Sequence, residues 1–379
     1  MWILVVNAGS SSLKLRVLDP NDAVVASSDL PTSGDPEGLG PALRSFVEES
    51  PVVDVAGHRV VHGGSSFGAA VLIGVDAEQT LGALADLAPL HNPSSLAAIH
   101  ALRSLYPELA QVACFDTAFH ATMPASAATY AVPEEWRERW GIRRYGFHGL
   151  SHAWASRRAA SLLGAPREGL RLVTAHVGAG VSLSAVLSGR SVETTMGFTP
   201  LEGLVMATRS GSVDPGALLW LQQHAGLSIA EIENALEHES GLLGLSGRSG
   251  DLRQVIALAD AGDRAAGLAY DVYVHRMRAA AAAMAAAMGG LDALVFTGGA
   301  GEASDRLRQD VCNGLAFLGI ALDPARNREP GGDALITLPG APVQVGVIRA
   351  REDLEIARQV RSLFESPPSI DAPPSGEGL

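Results

Sequence analysis

Two glycine-bearing segments with the same pattern, about half a chain apart, constrain the fold more than any other feature. MWILVVNAGSSSLKLRVLD runs from Met1 to Asp19, and RLVTAHVGAGVSLSAVLSG runs from Arg171 to Gly189. Each has an apolar, β-branched run, a turn of small residues and a second apolar run, which is typical of a β-hairpin. Such a turn exposes backbone N–H groups without bulky side chains to keep a phosphate away. The pair predicts two related halves that clamp a nucleotide.

The length and the order of the remaining signals predict a duplicated α/β fold. A chain of 379 residues exceeds the roughly 250 to 300 residues that a single core usually serves. Strand and helix signals alternate after each hairpin, including a helix that we expect to begin at an N-cap on Ser151. DALVFTGGAGE, from Asp292 to Glu302, predicts a strand, a glycine turn and a helix start suited to an anion. By analogy, this is the two-domain, ribonuclease H-like arrangement of actin, the Hsp70 ATPase domain and sugar kinases.

Composition excludes several classes of partner. A formal net charge of -13 disfavours nucleic acids and anionic membranes. The two cysteines, Cys114 and Cys312, are too few for a disulfide scaffold and favour a reducing compartment, for which the cytoplasm fits best. The apolar N-terminal run lacks the features of a signal peptide, and the alanine-rich run from Ala279 to Met288 is shorter than the roughly 20 residues that span a bilayer.

Short segments rich in Arg, His, Asp and Gly predict phosphoryl transfer. That chemistry needs cations and neutral donors around the equatorial oxygens, a divalent metal and a positioned acceptor. No Walker A pattern is present, which disfavours a P-loop enzyme. Candidate donors are Arg59, Arg209, His148 and His176, and candidates for the metal or the acceptor are Asn7, Asp116 and Glu352.

A zinc site is the disfavoured alternative. The pairs His58 with His62 and His148 with His152 have the four-residue spacing of helical zinc ligands. However, the surrounding Gly and β-branched residues do not favour a helix, and no Glu follows the first His of either pair. For any single histidine here, an ordinary hydrogen-bonding role is favoured over catalysis.

In the same order and over nearly the full chain, these segments closely resemble the acetokinase family of short-chain carboxylate kinases. The resemblance runs from NAGSSSLK at Asn7 to VIRAREDLEIA at Val347, with RYGFHG, MGFTPLEG and TRSG between them. It implies reversible transfer of the γ-phosphoryl of ATP to acetate, with Mg²⁺ or Mn²⁺. It also implies a homodimer.

The resemblance further implies roles for individual residues. Arg59 and Arg209 would hold the carboxylate and stabilise the transferring phosphoryl, and His148 would donate to the transition state. Asp116 would help to position the acceptor and metal-bound water, and Asn7 and Glu352 would organise the metal. The remaining implied residues contact substrate or nucleotide. For the substrate they are Arg59, Val61, Leu90, His91, Phe147 and Pro200, and for the nucleotide Lys14, His176, Gly178, Gly180, Asp251, Arg253, Gly298, Gly299 and Gly301.

The implied domains are an N-terminal one, residues 1–119 completed by 354–379, and a nucleotide-binding and dimerisation domain, residues 120–353. Within these, the chain departs from the family pattern in three places. HVGAG replaces HLGNG, so that Ala179 stands where an Asn would reach a phosphate. Arg349, Ala350 and Arg351 replace Pro-Thr-Asn or Pro-Thr-Asp, and GGAGEA replaces GGIGEN.

Two alternatives to an active acetate-specific enzyme stay open at this point. One is a propionate or butyrate kinase of the same family, because one methylene in an apolar pocket discriminates by only about 1 to 3 kcal/mol. The other is a nucleotide- or acyl-phosphate-binding protein with impaired turnover, which Ala179 and Arg351 motivate.

Overall fold

The computed structural model describes residues 1–8, 12–31, 36–84 and 92–365. They form two compact units, Met1–Ala118 together with the chain from Glu352 onward, and Phe119–Arg351. These limits lie beside the predicted boundaries at residues 119 and 354. No helix within the described ranges is long and apolar enough to cross a membrane.

Strands and helices follow one another in both units. The strands are β1 (Ile3–Ala8), β2 (Ser12–Leu18), β3 (Val24–Pro31), β4 (Val55–Val60), β5 (Val71–Leu72), β6 (Ala110–Phe115), β7 (Arg171–Val177), β8 (Val181–Leu187), β9 (Arg190–Thr194), β10 (Ala293–Thr297), β11 (Ala334–Leu335) and β12 (Gln344–Val347). The α-helices are α1 (Pro36–Glu48), α2 (Val75–Ala83), α3 (Asn92–Leu105), α4 (Ala125–Ala128), α5 (Glu134–Trp140), α6 (Gly149–Leu163), α7 (Pro215–Trp220), α8 (Ile229–His238), α9 (Gly241–Ser246), α10 (Leu252–Asp260), α11 (Arg264–Ala287), α12 (Gly299–Ala303), α13 (Asp305–Asn313), α14 (Pro324–Arg328) and α15 (Glu352–Glu365).

The two sheets repeat one another strand by strand. Their orders are β3-β2-β1-β4-β6-β5 and β9-β8-β7-β10-β12-β11. In each, the first three strands pair antiparallel, the next two join in parallel and the last is antiparallel. The duplicated ribonuclease H-like fold is therefore confirmed, and the two predicted hairpins are β1–β2 and β7–β8.

Parallel pairing gathers polar residues at one edge of each sheet. In the first, Asn7 lies near the end of β1, Arg59 near the end of β4, and Asp116 directly after β6. In the second, His176 near the end of β7 pairs with Thr297 at the end of β10. Because ligands of open α/β sheets bind outside the carboxyl ends of the strands, both edges are candidate binding surfaces.

Gly57 allows the C-terminal helix to seat on the first sheet. A Cβ at this position of β4 would lie 2.6 Å from Ile356 Cγ2 and 2.9 Å from Val360 Cγ2 of α15. The close approach buries both side chains in the first unit. It also brings Glu352, the first residue of α15, to the edge that carries Asn7, with which it forms a hydrogen bond.

The prediction that Ser151 caps a helix was wrong. Helix α6 begins at Gly149, and its N-cap is His148, which has left-handed backbone angles (φ 56°, ψ 24°). Ser151 is buried in the first turn, where its hydroxyl lies 2.8 Å from His176 Nδ1. A serine before an apolar run suggests a cap, but here the tertiary hydrogen bond determines its place.

Candidate active site

Arg59 is the centre of a polar cluster at the edge of the first sheet. Its Nε and Nη2 donate to Asp116 Oδ2 at 3.0 and 2.6 Å, and its Nη1 donates to Asn7 Oδ1 at 3.2 Å. Asn7 Nδ2 donates to Glu352 Oε2 at 2.9 Å, and this oxygen lies 3.8 Å from Arg59 Nη1. We call these four residues, Asn7, Arg59, Asp116 and Glu352, the first-unit cluster.

The environment of Arg59 keeps its charge and fixes its orientation. The side chain of Asp116 is 1% exposed and that of Arg59 is 16% exposed. Burial opposes the charge on Arg59, but the nearby carboxylates of Asp116 and Glu352 and the hydrogen bond to Asp116 outweigh it, so the pKa of Arg59 is raised above its ordinary value. A planar guanidinium held in this way suits the oxygens of a carboxylate or a phosphoryl group.

The first-unit cluster fits a hard divalent cation by the chemistry of its donors. The acceptor atoms that Asn7, Asp116 and Glu352 offer are all oxygens, the type of ligand that Mg²⁺ and Mn²⁺ prefer. In the part of the chain that the structure describes, no group of three or more His, Cys, Asp or Glu can hold a metal by itself. A cation would then take its other ligands from phosphate oxygens and water, the usual mode of Mg²⁺ with nucleotides.

A second cluster lies at the edge of the second sheet. The rings of His148 and His176 stack with centroids 4.2 Å apart. A Cβ on Gly180 would lie 3.2 Å from His148 Nε2 and 3.7 Å from Arg209 Nη1, so the turn packs against both side chains. We call His148, His176, Gly180 and Arg209 the second-unit cluster. The chain separates His148 from Arg209 by 61 positions, and the fold brings both beside Gly180.

Two further contacts orient Arg209. Its Nε lies 3.1 Å from Glu237 Oε2, and its Nη1 donates to the carbonyl oxygen of Pro200 at 3.3 Å. Arg209 and Pro200, both predicted from separate motifs, are therefore neighbours. Sequence reasoning missed Glu237, because nothing in its local sequence on α8 distinguishes it from a solvated helix residue.

His148 has a backbone conformation that is costly for a residue with a Cβ. Of the other non-glycine residues with positive φ in the described ranges, Asp22 and Ser188 lie in turns between strands. His148 instead begins α6, and its carbonyl accepts from the N–H of His152. Such conformations cost on the order of 1 to 3 kcal/mol and cluster at functional sites, where the surrounding structure imposes them.

The two predicted nucleotide turns of the second unit meet. Gly298 connects β10 to α12 with φ 81° and ψ 159°, and a Cβ there would lie 2.9 to 3.0 Å from the backbone of Val177 at the end of β7. Glu302, which sequence reasoning did not single out, accepts from the N–H groups of Gly298 and Ala350 at 3.0 and 2.9 Å. A Cβ on Gly301 would lie 3.4 Å from Val177 Cβ. Glu302 thus ties the glycine turn to the Arg-Ala-Arg segment.

In the β7–β8 turn, the Gly178 N–H donates to the carbonyl of Gly180 at 3.0 Å. That N–H is therefore used in a hydrogen bond within the turn. If the backbone of this turn binds a phosphate, the N–H groups of Ala179 and Gly180 are the donors that would contact it. The side chain of Ala179 is exposed, and its carbonyl accepts from Ala207 N at 3.0 Å.

Three of the other predicted residues, Asp251, Arg253 and Lys14, lie at or near the protein surface. Asp251 caps α10 and pairs with Arg253 at 2.6 Å, and the Arg253 side chain is 85% exposed. Lys14 is exposed on β2 opposite Asn7. Val61 and Phe147 are buried, each in its own unit, and a Cβ on Gly299 would meet no atom within 4 Å. Leu90 and His91 lie outside the described residues.

Comparison with known proteins decides the family. Residues 42–358 match the sequence profile of the Acetokinase family. The chain belongs to the acetokinase family. It is 46% identical to the acetate kinase of Deinococcus radiodurans over 95% of this chain and 97% of that protein, and 40% identical to that of Carboxydothermus hydrogenoformans over 96% and 99%.

Solved structures of the family have the same fold. The crystal structure of Porphyromonas gingivalis acetate kinase superposes with a TM-score of 0.88, at 36% identity, over 96% of this chain and 99% of that one. The propionate kinase of Francisella tularensis also gives 0.88, at 37% identity, over 94% and 98%. This family resemblance, which the sequence motifs implied, is confirmed.

Proposed function

We propose that the chain is an acetate kinase, which transfers the γ-phosphoryl group of ATP to acetate reversibly and forms acetyl phosphate and ADP. Relatives with this name match 81 to 96% of the chain at 40 to 48% identity. The observation that carries the proposal is the first-unit cluster, in which one guanidinium is fixed by Asp116, Asn7 and Glu352 beside a donor set suited to Mg²⁺.

In the reaction, an acetate oxygen attacks the γ-phosphorus, and the bond from that phosphorus to the bridging oxygen breaks with its electron pair leaving on ADP. Acetate is already ionised at neutral pH, so the attack requires no general base. The buried carboxylate of Asp116 therefore acts by holding Arg59, whose guanidinium would bind acetate and the equatorial oxygens. Mg²⁺, held through Asn7 and Glu352, would neutralise charge on the nucleotide phosphates.

In the second unit, His148 Nε2 and the Arg209 guanidinium would donate to the transferring phosphoryl. The packing of Gly180 against both groups supports this assignment, because it joins them to the turn whose N–H groups suit a phosphate. His176 stacks on His148 and supports its ring. Gly298, Gly299 and Gly301 would contact the nucleotide, and Asp251 with Arg253 would approach the adenosine.

Trapping of acyl phosphate tests the enzyme directly. With Mg-ATP, acetate and hydroxylamine, the protein should form acetohydroxamate, and removal of Mg²⁺ by a chelator should abolish the product. Reactions without ATP or without acetate are the controls. If well-folded protein forms no hydroxamate with ATP or with another phosphoryl donor, the proposal fails in favour of a binding protein without turnover.

Kinetics with acetate, propionate and butyrate test which carboxylic acid the enzyme prefers. The match to a propionate kinase at the same TM-score as to an acetate kinase makes the longer acids the necessary competitors. We expect kcat/KM for acetate to exceed that for propionate by about tenfold, the effect of one methylene in an apolar pocket, and that for butyrate by more. A higher kcat/KM for propionate would transfer the assignment to a propionate kinase.

Replacing Ala179 with Asn is expected to lower the KM for ATP or to raise kcat by roughly tenfold. The exposed position accommodates the larger side chain, and one added hydrogen bond to a charged phosphate supplies about 1.5 to 3 kcal/mol. Steady-state kinetics measure the change, and Ala261→Asn, at an exposed turn of the same unit, is the control. A loss of activity in Ala179→Asn alone would mean that this turn serves a different contact.

We also propose a cytoplasmic homodimer joined through the second unit. Both cysteines are buried free thiols, which suits a reducing compartment. The second unit exposes large apolar side chains on the successive helices α7 and α8, with 57% of Leu219, 56% of Trp220 and 74% of Ile229 accessible. Light scattering should therefore give about twice the chain mass of 39.2 kDa.

A further inference from the structure

A buried histidine that has no role in the proposal above connects to His148. His152 lies one turn along α6 and is fully buried. Its Nδ1 is 2.8 Å from Thr174 Oγ1, and its Nε2 is 2.8 Å from Ser182 Oγ. The same Ser182 oxygen is 2.8 Å from His148 Nδ1. Thr174, His152, Ser182 and His148 thus form one continuous chain of hydrogen bonds, which we call the histidine relay.

The relay couples the proton positions of its members. The Ser182 hydroxyl has a single hydrogen, so it can donate to only one of the two imidazoles. Burial first, and then the proximity of the titratable rings of His120 and His176, hold the pKa of His152 well below its usual range, which leaves the ring neutral with one N–H. If that N–H is on Nε2 it donates to Ser182, and Ser182 donates to His148 Nδ1. Thr174 then supplies a hydrogen to His152 Nδ1.

When Ser182 donates to His148 Nδ1, a neutral His148 must carry its ring hydrogen on Nε2. That nitrogen is the one beside Gly180, in the turn proposed to hold phosphate. The guanidinium of Arg209 lies near the same glycine, and the titratable ring of His176 stacks on that of His148. A nitrogen that donates to the transferring phosphoryl must carry a hydrogen. If instead His148 Nδ1 donated to Ser182, the Nε2 of a neutral His148 would carry no hydrogen and could only accept.

We propose that Ser182 and His152 are positioning residues that hold the ring of His148 in the tautomer with the hydrogen on Nε2, directed at the β7–β8 turn. The inference rests on the proposed phosphoryl transfer and assigns a function to two buried side chains that contact no substrate. It explains why polar side chains are retained at three fully buried positions, Ser182, His152 and Thr174.

Ser182→Ala removes the bridge with the smallest change of volume. We expect kcat to fall about tenfold while the KM values for ATP and acetate stay within about twofold, because orientation and not binding is lost. Ser184→Ala is the matched control. Ser184 is equally buried on the same face of β8, but its hydroxyl bonds to Ser191 and the carbonyl of Glu193. Its substitution should change kcat by less than about twofold.

A double-mutant cycle separates positioning from packing. In a His148→Ala background, Ser182→Ala should have no further effect on kcat beyond about twofold, because its influence passes through the absent ring. A tenfold loss in both backgrounds would overturn the proposal and leave Ser182 as a packing residue.

Nitrogen-15 chemical shifts of the His148 ring give a readout that does not depend on turnover. They should show the Nε2–H tautomer in the unaltered protein and a mixture in Ser182→Ala, with His148→Ala used for assignment. An unchanged tautomer in Ser182→Ala would refute the inference even in an active enzyme. Absence of hydroxamate from the unaltered protein would instead overturn the proposed function, and the tautomer measurement would still stand.

Discussion

Replacing Arg59 with lysine is expected to lower kcat for acyl phosphate formation by roughly 10² to 10³-fold while the protein stays folded. A lysine ammonium retains the charge that the buried Asp116 needs, but it lacks the planar fork that donates to Asp116 and Asn7 together. An arginine that stabilises a transferring phosphoryl contributes about 10³ to 10⁵ in rate, and the retained charge preserves part of that.

The matched control is Arg16→Lys in the same sheet. Arg16 pairs with Asp29 at 2.6 Å, but the two side chains are 25% and 56% exposed. Exposed pairs contribute about 0 to 1 kcal/mol, so this substitution should alter neither stability nor kcat measurably. If Arg59→Lys retained kcat within threefold, the guanidinium geometry of the first-unit cluster would have no part in the reaction.

Arg59→Ala separates the catalytic role of this residue from its structural role. Removing the cation takes from the buried Asp116 carboxylate the ion pair and the two hydrogen bonds that Arg59 supplies, and breaking a buried ion pair typically costs about 3 to 5 kcal/mol. Urea unfolding should therefore show a large loss of stability in Arg59→Ala and a small one in Arg59→Lys. Equal stability of the two variants would mean that water or another group compensates Asp116.

Replacing Gly298 with alanine is expected to lower the free energy of unfolding by about 3 kcal/mol and to raise the KM for ATP. The angles φ 81° and ψ 159° fall in a region populated almost only by glycine, which costs on the order of 1 to 3 kcal/mol for other residues. A Cβ would in addition lie 2.9 to 3.0 Å from the rigid backbone of Val177. The β10–α12 turn would have to move away from β7 to remove this close contact.

Gly299→Ala is the neighbouring comparison for stability. No atom lies within 4 Å of a Cβ at Gly299, and it does not have a positive φ. Its stability should change by less than about 1 kcal/mol, whereas its KM for ATP reports on contact with the nucleotide. Similar stability of the two alanine variants would mean that the turn at Gly298 adapts, and the structural reason for its glycine would be lost.

Local pattern predicted the elements well because it reports local forces. The alternation of apolar runs with Gly and Ser turns identified both hairpins, and the string DALVFTGGAGE identified β10, its turn and the start of α12. Ser151 shows the limit of such patterns. Its residue type favours an N-cap, but its hydroxyl bonds to His176 on β7, and the N-cap of the helix is His148 instead.

By itself, the sequence determined the family, the duplicated fold and the residue types that phosphoryl transfer requires, since these reside in short strings such as RYGFHG and TRSG. Only the tertiary structure decided which partners orient those residues. Asp116 and Glu352 surround Arg59, Glu237 holds Arg209, and Ser182 joins His148 to His152. These partners come from strands and helices distant in the chain, and hydrogen bonding between them depends on atomic separation and burial. No local pattern contains either quantity.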